Sequence, residues 1–360
     1  MRDEFQVKIE RIRKLLSTLN QEAVLLSSQT SFSWLTAARG YIGLASEAAC
    51  AKILVTQEAV VFITNSIESP RLRNEELNGL PVEISSYDWH DPDGEQTILR
   101  SIVDHAVEEK EILAELAGIR YPLLESEIAR YERLGKDVGR ILEEIVQTLK
   151  PGDSEFEIAA RLAESCISAG IDPITNLVAT DERVWKYRHP LPTSKKLDRY
   201  ALVAVGGRRH GLIASATRLV HFGALSYELK EKHHAVVEVD ATFIAGSSSG
   251  AAVKDVFEQA CQWYNYYGYE NEWHYHHQGG LTGYAAREYR ATPHSNQIIG
   301  ENQAFAWNPS IGGVKSEDTI LVKRDGQQIL TRTGHFPETE IMVNGKKVPR
   351  PGILIRKQYL

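Results

Sequence analysis

The stretch 314-VKSEDTILV-322 sets two adjacent acids, Glu317 and Asp318, at the head of an apolar, β-branched run that reads as a strand. Working outward, 303-QAFAWNP-309 is a second strand, and 273-WHYHHQGG-280 packs three histidines into four residues before a glycine pair. Further back, 226-SYELKEKHHAVVEVDATFIAG-246 and 250-GAAVKDVFEQACQWYNYYG-268 read as helices, while 200-YALVAVGG-207 and 211-GLIASATRLVHFG-223 read as strands. Two consecutive helices precede these, over 125–149 and 150–170; Ser154 and Glu157 have capping-box spacing, and Gly170 stops the second. The whole region is α+β, with antiparallel hairpins expected.

Ahead of it, 23-AVLLSS-28, 51-AKILVT-56 and 59-AVVFIT-64 read as strands separated by polar turns and by helices near 67–77 and 94–108, an α/β module. The proline-containing connector 119-IRYPLLES-126 marks the boundary, giving domains over 1–122 and 123–360, as a chain of 360 residues leads one to expect. A net charge of -7 with no basic stripe argues against nucleic acid as partner. No apolar run reaches 18 residues and the N-terminal helix is charged, so a membrane role is not expected and the protein is expected to be cytoplasmic. Cys50, Cys166 and Cys261 are far apart and fit buried thiols better than disulfides or a zinc cage.

The order of elements after residue 123, with 189-HPLPTSKKL-197, 211-GLIASATR-218, a Gly-rich segment ending in 287-RE-288, and 314-VKSEDTILV-322, resembles the pita-bread superfamily of proline dipeptidase, aminopeptidase P, methionine aminopeptidase and creatinase. The stretch 32-FSWLTA-37 is similar to the N-terminal domain of the prolidase, aminopeptidase P and creatinase branch. The resemblance implies an α/β N-terminal creatinase/prolidase-like domain followed by an α+β pita-bread domain. In the metallopeptidases of that superfamily two Asp, one His and two Glu hold a metal pair, which generates hydroxide and clamps the substrate carbonyl. Mapped by motif, those positions fall on Ala204, Ser215, Gly280 (or within a residue or two of it), Asn308 and Glu317. One carboxylate among neutral groups does not neutralise two divalent cations, so neither metal nor other cofactor is expected.

Creatinase, a metal-free member, resembles the chain at the residues that survive. The resemblance implies that His189 is the general acid/base, a role suited to a group titrating near working pH. It further implies that Glu317 orients water or His189, and that Arg287 forks onto a substrate carboxylate. Thr217 stands where creatinase keeps a second glutamate, so creatine itself is not expected as substrate; Arg218, beside it, is read as structural. By strand alternation His221 shares the face of Ser215 and Thr217 and points into the pocket. Arg39 and Tyr41 are expected to line a pocket shared across a homodimer. In a strand His274 and His276 would share one face and His277 the other; the cluster either ligates a metal or hydrogen-bonds through its rings to backbone or substrate. The latter reading makes His276 and His277, with Asn308, the walls of a metal-free pocket. The expected function is metal-independent hydrolysis of a C–N bond in a small carboxylate-bearing amino-acid derivative or dipeptide. Two alternatives stand beside it: an Xaa-Pro metallopeptidase with atypical ligands, and an inactive binding protein. Convergence of His189, Arg287 and Glu317 on one cavity is the structural observation that bears most on the choice.

Overall fold

The computed structural model describes residues 2–357. It divides into two compact units, one running up to Glu127 with His210–Leu212, the other comprising Ile128–Arg209 and the chain from Ile213 onward.

The first unit is built on strands Ala23–Ser28 (β1), Ala48–Thr56 (β2), Val60–Asn65 (β3), Glu83–Tyr87 (β4) and Val107–Glu108 (β5), in the order β4-β3-β2-β1-β5. Helix Arg2–Leu19 buries Phe5, Ile9, Ile12 and Leu16, the three-to-four spacing of one apolar face. The helix expected over 94–108 stops at Ile102, and β5 pairs in parallel with β1 instead. The cause is tertiary: the buried Glu109 carboxylate accepts from the backbone N–H of Ser27 and Ser28, both at 2.7 Å, and pins the chain at the end of β1.

In the second unit, helices Glu125–Thr148 and Glu155–Ser168 lead to Asp172–Thr180 (β6), Tyr200–Arg209 (β7) and Leu212–Phe222 (β8). The Ser154/Glu157 capping box is formed as its spacing implies. β7 is buried along nine of its ten residues, which is why it reads as a continuous apolar run rather than an alternating one, and β8 is buried along ten of eleven although Ser215, Thr217 and Arg218 lie within it. β6 was not legible as a strand, because Pro173 and Asn176 interrupt its apolar pattern; its pairing with β7 makes it one. A second sheet comprises Gly279–Thr282 (β9), Tyr289–Arg290 (β10), Gln303–Trp307 (β11), Asp318–Lys323 (β14) and Gly326–Ile329 (β15), ordered β10-β9-β11-β14-β15. Between β11 and β14, Ser310–Ile311 (β12) and Val314–Lys315 (β13) form a small ladder. Glu338–Val343 (β16) pairs with Lys346–Pro351 (β17), and Ile353–Arg356 (β18) adds to β8, giving β18-β8-β7-β6. A bridge between Thr217 and Glu317 ties β8 to the segment before β14, bringing the opening stretch against the first of these sheets.

Candidate active site

His189 sits in a loop that the fold holds from behind. The fully buried Glu155 carboxylate accepts from Thr180 N at 2.8 Å, Thr193 N at 2.9 Å and the Thr193 hydroxyl at 2.7 Å, and pairs with Arg183. Val178 N donates to Pro190 O, fixing the residue after His189 to the edge of β6. The neighbouring Arg188 pairs with Glu272, and that pair draws the histidine-rich segment to the same place.

The histidine-rich segment is not a strand. Glu272–Tyr275 forms a 3-10 turn, and the chain becomes extended only at His276. The alternation expected for His274, His276 and His277 therefore fails: His274 stays exposed, its ring against Trp273, while His276 and His277 join His189. His276 Nε2 lies 3.2 Å from His189 Nε2, and its Nδ1 lies 2.9 Å from the Ser310 hydroxyl. One ligand atom from each of the three imidazoles lies within 4.8 Å of the others. Burial, reinforced by the Lys315 ammonium, pushes His276 far below the usual histidine value. Burial and the Arg287 guanidinium push His277 down to about 4. His189 is lowered by burial and by Lys315, against an opposing pull from Glu317. All three rings are therefore neutral near pH 7.

His189, Arg287 and Glu317 line one cavity of about 370 Å³, with Ala204, Ser215, His277, Asn308, Arg290, Lys315 and Thr175 among the other walls. Glu317 does not hydrogen-bond His189. Its Oε2 accepts from the Thr217 hydroxyl at 2.6 Å and pairs with Lys315 Nζ at 2.7 Å, and Oε1 lies 3.6 Å from Arg287 Nη2. Burial alone would raise this carboxyl, but Lys315 and Arg287 outweigh it and hold it below the usual range. Arg287 faces Glu317 with one nitrogen while its buried Nε has no hydrogen-bond partner among the described residues. Asn308 is 2% exposed, and its Oδ1 likewise has no partner among the described residues.

Two expected positions differ. The Thr217 hydroxyl is engaged by Glu317 rather than offered to the cavity. His221 shares the Thr217 face but not its height: four residues on, at roughly 3.3 Å each, it lies about 13 Å along β8, where Nδ1 meets Gly223 O and the ring approaches Tyr200. Arg39 belongs to the first unit and pairs with Glu76 at 2.8 Å. Gly280 lies on β9 with φ +152, and a Cβ there would stand 2.2 Å from Tyr289 O. Arg218, read as structural, is buried between Glu143 and Asp318. Lys315 and Arg290 were not singled out from the sequence. The signal for Lys315 was available, since two residues before Glu317 in an extended segment it shares that residue's face.

No helix among the described residues is long and apolar enough to cross a membrane. The model of metallopeptidase family M24 matches residues 129–324. An uncharacterized peptidase of Staphylococcus aureus (strain MW2) is 25% identical over 216 residues, 58% of this chain and 61% of the relative. The chain thus spans about three-fifths of the length of the curated relatives it matches. Among solved structures, the prolidase from Pyrococcus horikoshii OT3 is similar with a TM-score of 0.75 at 19% identity, over 91% of this chain and 98% of that one. The Xaa-Pro dipeptidase from Bacillus anthracis gives 0.75 at 17% identity, over 98% and 100%. Likeness at these identities carries the fold, that of the pita-bread creatinase, aminopeptidase P and prolidase branch.

Proposed function

The chain belongs to metallopeptidase family M24, and on that premise we propose that its cavity hydrolyses a C–N bond in a small carboxylate-bearing amino-acid derivative or dipeptide without a metal, His189 exchanging the proton. What carries this reading is the meeting of His189, Arg287 and Glu317 in one cavity. The metal pair that the family name implies does not fit these residues. Ala204, Ser215 and Asn308 are neutral walls, and the Lys315 ammonium covers the Glu317 carboxylate from 2.7 Å. The backbone at Gly280 leaves no room for any side chain, an imidazole included. No step is therefore routed through such a pair.

The residues present support a balanced sequence. Arg287 takes the substrate carboxylate. Neutral His189 accepts a proton from water as the water oxygen bonds to the carbon of the scissile C–N bond. The oxyanion that develops faces the Lys315 ammonium, which Glu317, itself held by the Thr217 hydroxyl, keeps in place. As the C–N bond breaks, His189 returns the proton to the leaving nitrogen, giving an acid and an amine. His276, through its 3.2 Å contact, orients the His189 ring. A panel of N-acyl amino acids and dipeptides tests this: His189→Ala should lower turnover about 10²–10⁴-fold, and chelators should leave the wild type unchanged. Full turnover by His189→Ala refutes the assignment.

One observation favours a second reading. The three imidazoles form a donor set that suits a single zinc-type ion with an open position, which would polarise a carbonyl. Elemental analysis of purified protein, with activity before and after chelation, separates the two.

A further inference from the structure

The charges lining the cavity do not balance. Arg287, Arg290 and Lys315 face one carboxylate, Glu317, and the histidines around them are neutral. Glu317 is committed to Lys315, leaving about two positive charges uncompensated. Arg287 is largely buried, its side chain 13% exposed, with its Nε unpaired, while Arg290 stands exposed on the cavity wall and forms no ion pair among the described residues. A buried donor without a partner is costly, as at Arg287, and a ligand that supplies the missing acceptor removes that cost; at exposed Arg290 a ligand anion gains a charge pair instead. A ligand with a single carboxylate would leave one of the two charges open.

We propose that the cavity selects a small dianion carrying an N–H: an N-substituted acidic amino acid, one carboxylate on Arg287 and a second anionic group answering Arg290. The N–H is called for by Asn308, whose buried Oδ1 accepts from nothing among the described residues and stands in the same wall. A volume of about 370 Å³ suits a molecule of that size. This inference rests on reading the cavity as the substrate site. It adds that the amine released by hydrolysis is an acidic amino acid.

Calorimetric titration of the purified full chain tests it with three probes: N-acetyl-L-aspartate, its near-isosteric monoanion N-acetyl-L-asparagine, and inorganic phosphate. The aspartate derivative should bind about threefold or more tightly than the asparagine one, the added charge-assisted pair lying at the exposed Arg290. Arg290→Gln, an exposed position where the fold is not at stake, should bring the two affinities together with the unfolding midpoint unchanged. Phosphate binding more tightly than N-acetyl-L-aspartate overturns the proposal, because phosphate carries neither the N–H nor the carboxylate that it assigns. Equal affinity for the two acetylated amino acids, a preference that survives Arg290→Gln, or binding of none of the three at millimolar concentration overturns it. A dianion preference without turnover sinks the hydrolytic reading alone, whereas turnover of monoanions with no preference sinks this one alone.

Discussion

Replacing Lys315 with methionine should destabilise the protein by about 3–5 kcal/mol near pH 7, the usual cost of stripping one partner from a buried ion pair. The side chains of Lys315 and Glu317 are 5% and 6% exposed, and their charged atoms are 2.7 Å apart. Without the ammonium, Glu317 keeps the Thr217 hydroxyl and an Arg287 nitrogen at 3.6 Å, which is too long for a hydrogen bond. In the wild type the folded carboxyl lies below its ordinary value. Its stabilisation is therefore present above the unfolded value of about 4.3 and is lost as pH falls through the depressed folded one. In the variant, burial is left opposed mainly by Arg287, so the folded carboxyl rises and protonation relieves the penalty on acidification. Urea unfolding from pH 8 to pH 5 should show a deficit that narrows toward acid. The double variant Lys315→Met with Glu317→Gln should recover to within about 1 kcal/mol of wild type, since neither partner is then left charged alone. A deficit below about 1 kcal/mol, one independent of pH, or a double variant no better than the single would refute this account of the pair.

Three further outcomes follow from the same geometry. Gly280→Ala should lower stability by about 2–5 kcal/mol, combining a disfavoured φ with overpacking against Tyr289 O; an unchanged thermal midpoint contradicts the backbone path on β9. Glu155→Ala should cost about 3 kcal/mol or more and expose the segment 187–197 to limited proteolysis, because it leaves Thr180 N, Thr193 N and Arg183 without their acceptor; equal protease resistance would count against the anchor. The acid limb of kcat/KM should fall below the ordinary histidine value of about 6.5, since burial and Lys315 depress His189 and only its neutral form accepts a proton; a limb at or above that value would assign the base elsewhere.

Much of the architecture could be read from the chain because β7, β11 and β14 are buried along nearly their whole length and leave apolar runs in the sequence. The site was legible in a different way. His189, Arg287 and Glu317 are far apart in sequence, and no periodicity relates them; only the resemblance brought them together, and the cavity contains all three. What escaped is what tertiary contacts decide. The Arg188–Glu272 pair sets the turn that turns His276 and His277 toward His189. His221 shows the complementary limit: alternation gave its face, but the position along the strand was needed as well.

The acids of the opening stretch divide two tasks by pointing opposite ways from one extended segment. Glu317 faces the cavity, where it holds Lys315. Asp318 faces away, accepting from Arg218 at 3.0 Å, from Arg350 at 2.8 Å and from the Thr331 hydroxyl at 2.6 Å. Arg350 continues to Asp240 on helix Tyr227–Gly246, and Arg218 to Glu143 on helix Glu125–Thr148. Burial raises Asp240 to about 6 despite Arg350 beside it. This lattice joins both sheets to two helices with hydrogen-bonded ion pairs and contains none of the cavity's reacting groups. The frame that holds the cavity open therefore owes nothing to ligands at positions 204, 215, 280 and 308. Substituting those positions alters the chemistry available inside it while the SED segment keeps its structural half. A chelator should accordingly leave the thermal midpoint unmoved, whereas Arg350→Met, which strands Asp240 in the interior and leaves Asp318 paired to Arg218 alone, should cost about 3–5 kcal/mol; a midpoint that tracks metal content instead would mean that an ion, and not this lattice, holds the site together.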